Sequence, residues 1–299
     1  MSLQHMLRKV RRRLRLSPAR QDDVEAYLAG GRRPWSRGYE AYRNACVARA
    51  IRDEAVMGPM RSKGRLPAGY GEFLDERVVE YPWVFSTMRP DAAMLLDAGS
   101  ILNAAHLIDH PRLQNKKLHI VTLAPEDVCF WRLGVSYLFA DLRRLPFADG
   151  TFDQVLCIST LEHVGKDNSI YTTDGAFRES RNADFEVAVR ELGRVCKPGG
   201  QLLLSVPFGR FTDFGWYQQF DASLLDRVIA AFAPTKVDET FFRYADGGWQ
   251  VSDRDSCADC EGFNIHDTKH FNPRSSRDYD PDFAAASRGI AALVLTKGA

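Results

Sequence analysis

The chain has 299 residues, is 45% apolar and 26% charged, and carries a formal net charge of +1. That is the composition of an ordinary globular protein of one or two domains, and a near-neutral chain has no global field to draw in nucleic acid or an acidic partner. Six scattered cysteines do not make a disulfide framework and no apolar run is long enough to span a bilayer. The basic start has no apolar stretch behind it, so the expected compartment is the cytoplasm.

Between Arg8 and Arg20 seven cations occur with no acid before Asp22, interleaved with Leu3, Met6, Leu7, Val10, Leu14 and Leu16. The spacing fits a basic amphipathic helix at the inner membrane face or on a protein partner, and equally a solvated arm. Nucleic acid is not expected there, since no aromatic side chains interleave with the cations. Helical apolar spacing follows over 21–29 and 36–57, and 67–71 is a Pro/Gly-rich break. Residues 73–88 carry Tyr81-Pro82-Trp83-Val84-Phe85, an aromatic cluster readable as a lid over a pocket or as ordinary packing onto the core.

From residue 93 short apolar runs recur at 93–98, 117–123, 135–140, 152–159 and 201–207, the last entered through Lys197-Pro198-Gly199-Gly200. Helical patterns cover 183–196 and 221–232, and 237–244 with 290–297 offer a closing pair of strands. Strands alternating with helices predict an α/β fold: a mostly parallel seven-stranded sheet with helices on both faces. The expected organisation is a basic helical extension over 1–70 and an α/β domain over 71–299.

Four segments carry a resemblance. Leu95-Leu96-Asp97-Ala98-Gly99 resembles the first-strand motif of class I, Rossmann-like S-adenosylmethionine-dependent methyltransferases. Phe139-Ala140-Asp141-Leu142 with Leu145-Pro146-Phe147 and Asp149-Gly150-Thr151-Phe152-Asp153 is similar to the third- and fourth-strand signature of that family's small-molecule branch. Ile158-Ser159-Thr160-Leu161-Glu162-His163-Val164 matches the next segment, and Arg194 to Gly200 with Ser205-Val206-Pro207 resembles the turn into the fifth strand. Their order and spacing together are far more specific than any one motif. The run from Ser159 to Asn168 also resembles methyltransferase-like proteins of bacterial polysaccharide gene clusters.

The resemblance implies a cofactor, S-adenosylmethionine, and a site at the carboxyl ends of the strands. It implies that Asp97 organises the first loop, that Gly99 lets backbone approach the nucleoside, and that Asp141 accepts from the adenine amino group while Leu142 flanks the ring. Ser100, Asn103, Thr122 and Ser159 are further cofactor-binding candidates. Two departures stand out. Gly99-Ser100-Ile101-Leu102-Asn103 keeps only the first of the family's three glycines, and an Ile resists positive φ. Thr122 stands where an acid would hold the ribose hydroxyls, with Glu126 four residues on as a substitute.

His163, following Glu162 after the fourth strand, has a side chain suited to taking a proton from an attacking hydroxyl; the pair reads otherwise as helix capping and packing. His106, placed on the helix expected after the first strand, reads as structural. Tyr217, after the fifth strand, and a mobile polar loop over 166–182 are substrate-contact candidates by position. Cys257 and Cys260 with His266 and His270 have too short a gap for the usual zinc finger, so reduced thiols and no metal are expected, and Cys157 reads as a core residue. The implied activity is O-methylation of a small molecule, sugar or glycan precursor; a catalytically silent binding or scaffold protein in a glycan-assembly complex is the rival.

Overall fold

The computed structural model describes residues 18–172, 175–245, 247–267 and 279–299. The basic stretch of residues 1–17 lies outside them, as does His270. The apolar runs form β1 (Met94–Ala98), β2 (Lys117–Thr122), β3 (Ser136–Phe139), β4 (Phe152–Ile158) and β5 (Cys196–Pro207). Two short strands, β6 (Thr212–Asp213) and β7 (Gln218–Gln219), pair with each other, and β8 (Lys236–Ala245), β9 (Gly248–Ser252) and β10 (Gly289–Thr296) complete the set.

The main sheet runs β3-β2-β1-β4-β5-β10-β8-β9. Its first five strands are parallel, with Asp97 of β1 opposite Ile120 on one side and Leu156 on the other. The chain therefore leaves β1 in one direction and returns beyond it in the other, which opens a crevice at the carboxyl ends of β1 and β4. β10 enters antiparallel between β5 and β8, as expected for the closing pair. Among the described residues the sheet has eight strands, not the expected seven. Gly247 turns the chain at φ +75° so that β9 folds back on β8, and Trp249 is buried beside Tyr244. A five-residue strand that follows Gly247 and itself begins on Gly248 carries too little alternation to be read from sequence.

Both faces of the sheet are covered. One carries α5 (Phe185–Val195) and α6 (Ala222–Phe232), whose Val189, Leu192, Leu225 and Val228 share a core with Val155, Leu202 and Leu204. The other face departs from expectation. No regular helix forms between β1 and β2; the link is turns and a short 3₁₀ turn at Pro111–Leu113, so His106 lies on a turn. The β2–β3 link has only the 3₁₀ turn Trp131–Leu133.

That face is covered by helices from earlier in the chain: α1 (Pro18–Ala29), α2 (Tyr39–Ala50), α3 (Glu54–Ser62) and α4 (Arg77–Thr87). Val47, Met57, Val78, Val84 and Phe85 from these helices join Leu95, Leu156 and Leu203 in one core. Trp83 and Phe85 are 2% and 0% exposed and Tyr81 packs against the same core, so the aromatic cluster is packing and not a lid. Among the described residues no helix is long and apolar enough to cross a membrane.

Candidate functional site

A cavity of about 330 Å³ opens at the carboxyl ends of β1 to β4. Gly99 follows β1, Thr122 ends β2, Asp141 and Leu142 follow β3, and Ser159 and Thr160 follow β4; all six line it. Arg77, His163, Asn168, Tyr171, Phe177 and Glu179 add further wall. The volume is at the small end of the range for small-molecule sites.

The loop after β1 is built on Asp97. Its fully buried carboxylate accepts from the amides of Ile101 (3.2 Å) and Leu102 (2.7 Å), which fixes the chain without the second and third glycines. Burial pushes the Asp97 carboxyl up to about 7, against the lowering effect of those amides. Gly99 adopts φ +126°, and a Cβ there would sit 1.9 Å from Thr160 Oγ1, so only glycine fits. Ser100 takes the second left-handed position at φ +67°, which spares Ile101. The Ser100 hydroxyl oxygen is buried with no hydrogen-bond partner.

Asn103 does not line the cavity. Its Nδ2 donates to Glu126 Oε2 (2.5 Å) and to the Val128 carbonyl (2.7 Å), while Tyr137 donates to its Oδ1 (2.8 Å). Glu126 itself lines the cavity next to Thr122, so Asn103 acts by orienting the one carboxylate on that wall after β2. Asp141 is held by Arg143, which donates through Nε to both carboxylate oxygens (3.0 Å each) and through a terminal nitrogen to Oδ2 (2.5 Å). Burial works to raise the Asp141 carboxyl, but these bonds outweigh it and hold it below the usual carboxylate range. Arg143 also pairs with Glu179 (2.9 Å) and Asp184 (2.6 Å), tying the segment before α5 to the loop after β3.

Beside His163 lies a buried polar cluster. Glu80 of α4 is fully buried; Ser159 and Ser205 each donate to its Oε1 at 2.6 Å, and Arg77 donates to its Oε2 at 2.6 Å. Ser159 thus spends its hydroxyl on Glu80 while still lining the cavity. Glu162 is 2% exposed, burial raises its carboxyl well above the usual range, and one of its oxygens has no hydrogen-bond partner. His163 Nδ1 lies 2.9 Å from the Trp216 carbonyl, an arrangement that requires Nδ1 to carry a hydrogen. Burial lowers His163 to about 4, although the Trp216 bond acts to raise it. His163 Nε2 lies 4.0 Å from Glu162 Oε1. Burial disfavours the charged form of both Glu162 and His163, which argues against an ion pair between them.

Tyr217 is buried, stacks on Phe214 and donates to the Phe263 carbonyl (3.1 Å); it supports the wall and does not line it. Between residues 166 and 182 the described part contributes Asn168, Tyr171, Phe177 and Glu179 to the cavity and is anchored by Lys166, which is 1% exposed. Cys257 and Cys260 are buried reduced thiols in the core of the α5–α6 face, and His266 packs edge-on against Trp216. Cys157 is in the same core. Among the described residues no group of His, Cys, Asp and Glu could hold a metal.

Arg77, Glu80, Arg143 and Trp216 escape a reading of the sequence, because their roles depend on contacts between distant segments. One signal was present: Arg77 and Glu80 are an i, i+3 charge pair in an otherwise apolar helix, where burial demands that charges be paired.

Residues 113–204 match a family model described as a methyltransferase domain. No curated protein matches the chain. Among solved structures it resembles a putative methyltransferase from Bacillus halodurans at 14% identity, over 71% of this chain and 95% of that one, with a TM-score of 0.43. It also resembles 1,6-didemethyltoxoflavin-N1-methyltransferase of Burkholderia thailandensis, solved with 1,6-didemethyltoxoflavin and S-adenosylhomocysteine, at 14% identity over 99% and 92% of the two chains with a TM-score of 0.42. A third is an N-methyltransferase of Bradyrhizobium japonicum in complex with S-adenosyl-L-homocysteine, at 10% identity over 69% and 78% of the chains, with a TM-score of 0.35.

Proposed function

We propose that the chain is an S-adenosylmethionine-dependent methyltransferase that methylates a hydroxyl group of a small molecule. The observation that carries this reading is the convergence of Gly99, Thr122, Asp141 and Ser159, from the ends of four parallel strands, on one cavity that also contains His163. The residues present fit the cofactor. The Gly99 backbone gives close approach, Thr122 and Glu126 offer acceptors for ribose hydroxyls, and Asp141 with Leu142 offers an acceptor and an apolar face for adenine. Ser100, next to Gly99, is not among the residues that line the cavity, and its buried hydroxyl adds no contact to this set.

Bound S-adenosylmethionine supplies an electrophilic methyl group; the protein's own task is to hold the acceptor in line and take its proton. His163 is equipped for the second part. With Nδ1–H donated to Trp216, its Nε2 keeps a lone pair, and its uncharged state near neutrality leaves that lone pair available. The hydroxyl proton passes to Nε2 as the oxygen attacks. Tyr171 and Phe177 offer apolar faces to the acceptor. A sugar or glycan precursor is the acceptor suggested by the run from Ser159 to Asn168, and that preference rests on sequence alone.

The test is formation of S-adenosylhomocysteine from S-adenosylmethionine in the presence of hydroxylated acceptors, including sugars and nucleotide sugars. Wild type is expected to turn over with at least one of them. His163→Ala is expected to lower kcat by about 10²–10⁴-fold while cofactor affinity stays within about twofold. Folded protein that binds the cofactor yet turns over none of the acceptors would favour the scaffold reading.

A further inference from the structure

We propose that Lys166 is a positioning residue for His163, its buried ammonium holding the β6–β7 hairpin where the Trp216 carbonyl fixes the imidazole tautomer. The inference rests on the role of His163 given above and extends it to a second layer of residues. Lys166 is 1% exposed, and its Nζ donates to Asp213 Oδ2 (2.7 Å) and to Asn182 Oδ1. Asp213 in turn accepts the Gly215 amide on Oδ1 (2.9 Å), and the Gly215 carbonyl accepts from Asp167 (3.1 Å). Trp216, the next residue, presents its carbonyl to His163 Nδ1 at 2.9 Å and its ring to the imidazole at 5.2 Å between centroids.

The near end of the chain is equally fixed. Lys166 donates its own amide to the His163 carbonyl (3.1 Å), and Asn168 Nδ2 donates to the same oxygen (2.9 Å). Two residues, Val164 and Gly165, thus separate the imidazole's residue from the one whose ammonium sets the position of the imidazole's partner. Lys166 is buried while Asp213 is 34% exposed, and burying an ammonium in such a pair is a poor way to gain stability, because desolvation consumes much of the attraction. Its advantage is directional: a compact cation with two fixed acceptors places the hairpin tip in one arrangement. A tip free to shift would release Nδ1, and the proton would redistribute between the two nitrogens. The Nε2–H form has no lone pair on Nε2 to accept the proton of a hydroxyl.

The experiment is ¹⁵N NMR of the His163 ring at neutral pH, on wild type, Lys166→Met and Asp213→Asn, with S-adenosylhomocysteine affinity measured on each. Wild type is expected to show a single Nδ1–H tautomer. Both variants are expected to show a mixture of tautomers, with ligand affinity within about threefold of wild type. A single Nδ1–H tautomer in folded Lys166→Met protein would overturn the proposal. If Lys166→Met does not fold, the milder Asp213→Asn decides on the same criterion. Absence of S-adenosylhomocysteine binding by wild type would defeat the functional reading and leave the tautomer comparison standing by itself.

Discussion

At Asp97 burial and backbone hydrogen bonding pull in opposite directions, and burial wins, leaving the carboxyl at about 7. A native pKa above the unfolded value near 3.9 means that the native state binds the proton more tightly. Its contribution to stability is therefore present below pH 4 and is lost as pH rises to about 7. Asp97→Asn, which cannot ionise, is expected to gain on wild type by up to about 4 kcal/mol between pH 4 and pH 8. Urea unfolding at both pH values measures this, and a constant difference between the two proteins would refute it. That Asp97, Gly99 and Asp141 stand at or just after strand ends was legible in the sequence, because short-range pattern fixes strand position. That Ser159 serves Glu80, and that Asn103 serves Glu126, was not legible, since each partner comes from another part of the chain.

On the scale of elements, the α4 helix does the most to join the fold to the site. Its apolar face fills the core with Val78, Trp83 and Phe85, and its first turn delivers Arg77 to the cavity wall. Glu80, one turn on, gathers Arg77, Ser159 and Ser205 at the ends of β4 and β5. Removing it leaves a partly buried guanidinium and two buried hydroxyls without their partner. Glu80→Ala is expected to cost about 3–5 kcal/mol in urea unfolding; a loss below about 1 kcal/mol would show that the cluster is not a structural unit. The strands were readable as short apolar runs. The helix expected after β1 was not formed, because Asp97 captures the amides of Ile101 and Leu102 and the chain reaches Pro111 through turns. The 21–29 and 36–57 patterns were legible as helices, but their packing partners were not, since amphipathicity names a buried face and not what covers it.

For the whole molecule, the order β3-β2-β1-β4-β5 decides where a ligand can bind. Periodicity located these strands, yet the count of eight and the β8–β9 hairpin depended on long-range pairing that periodicity does not report. Residues as far apart in the sequence as Arg77 and Glu179 line one 330 Å³ cavity, together with Asp141 and His163. The central claim is that this cavity is a cofactor site, and calorimetric titration with S-adenosylmethionine and S-adenosylhomocysteine tests it most directly. Wild type is expected to bind both in the micromolar range, and Asp141→Ala to bind each about 10–100-fold more weakly through loss of a charge-assisted hydrogen bond. No heat with millimolar ligand, from wild-type protein shown to be folded, would contradict the account.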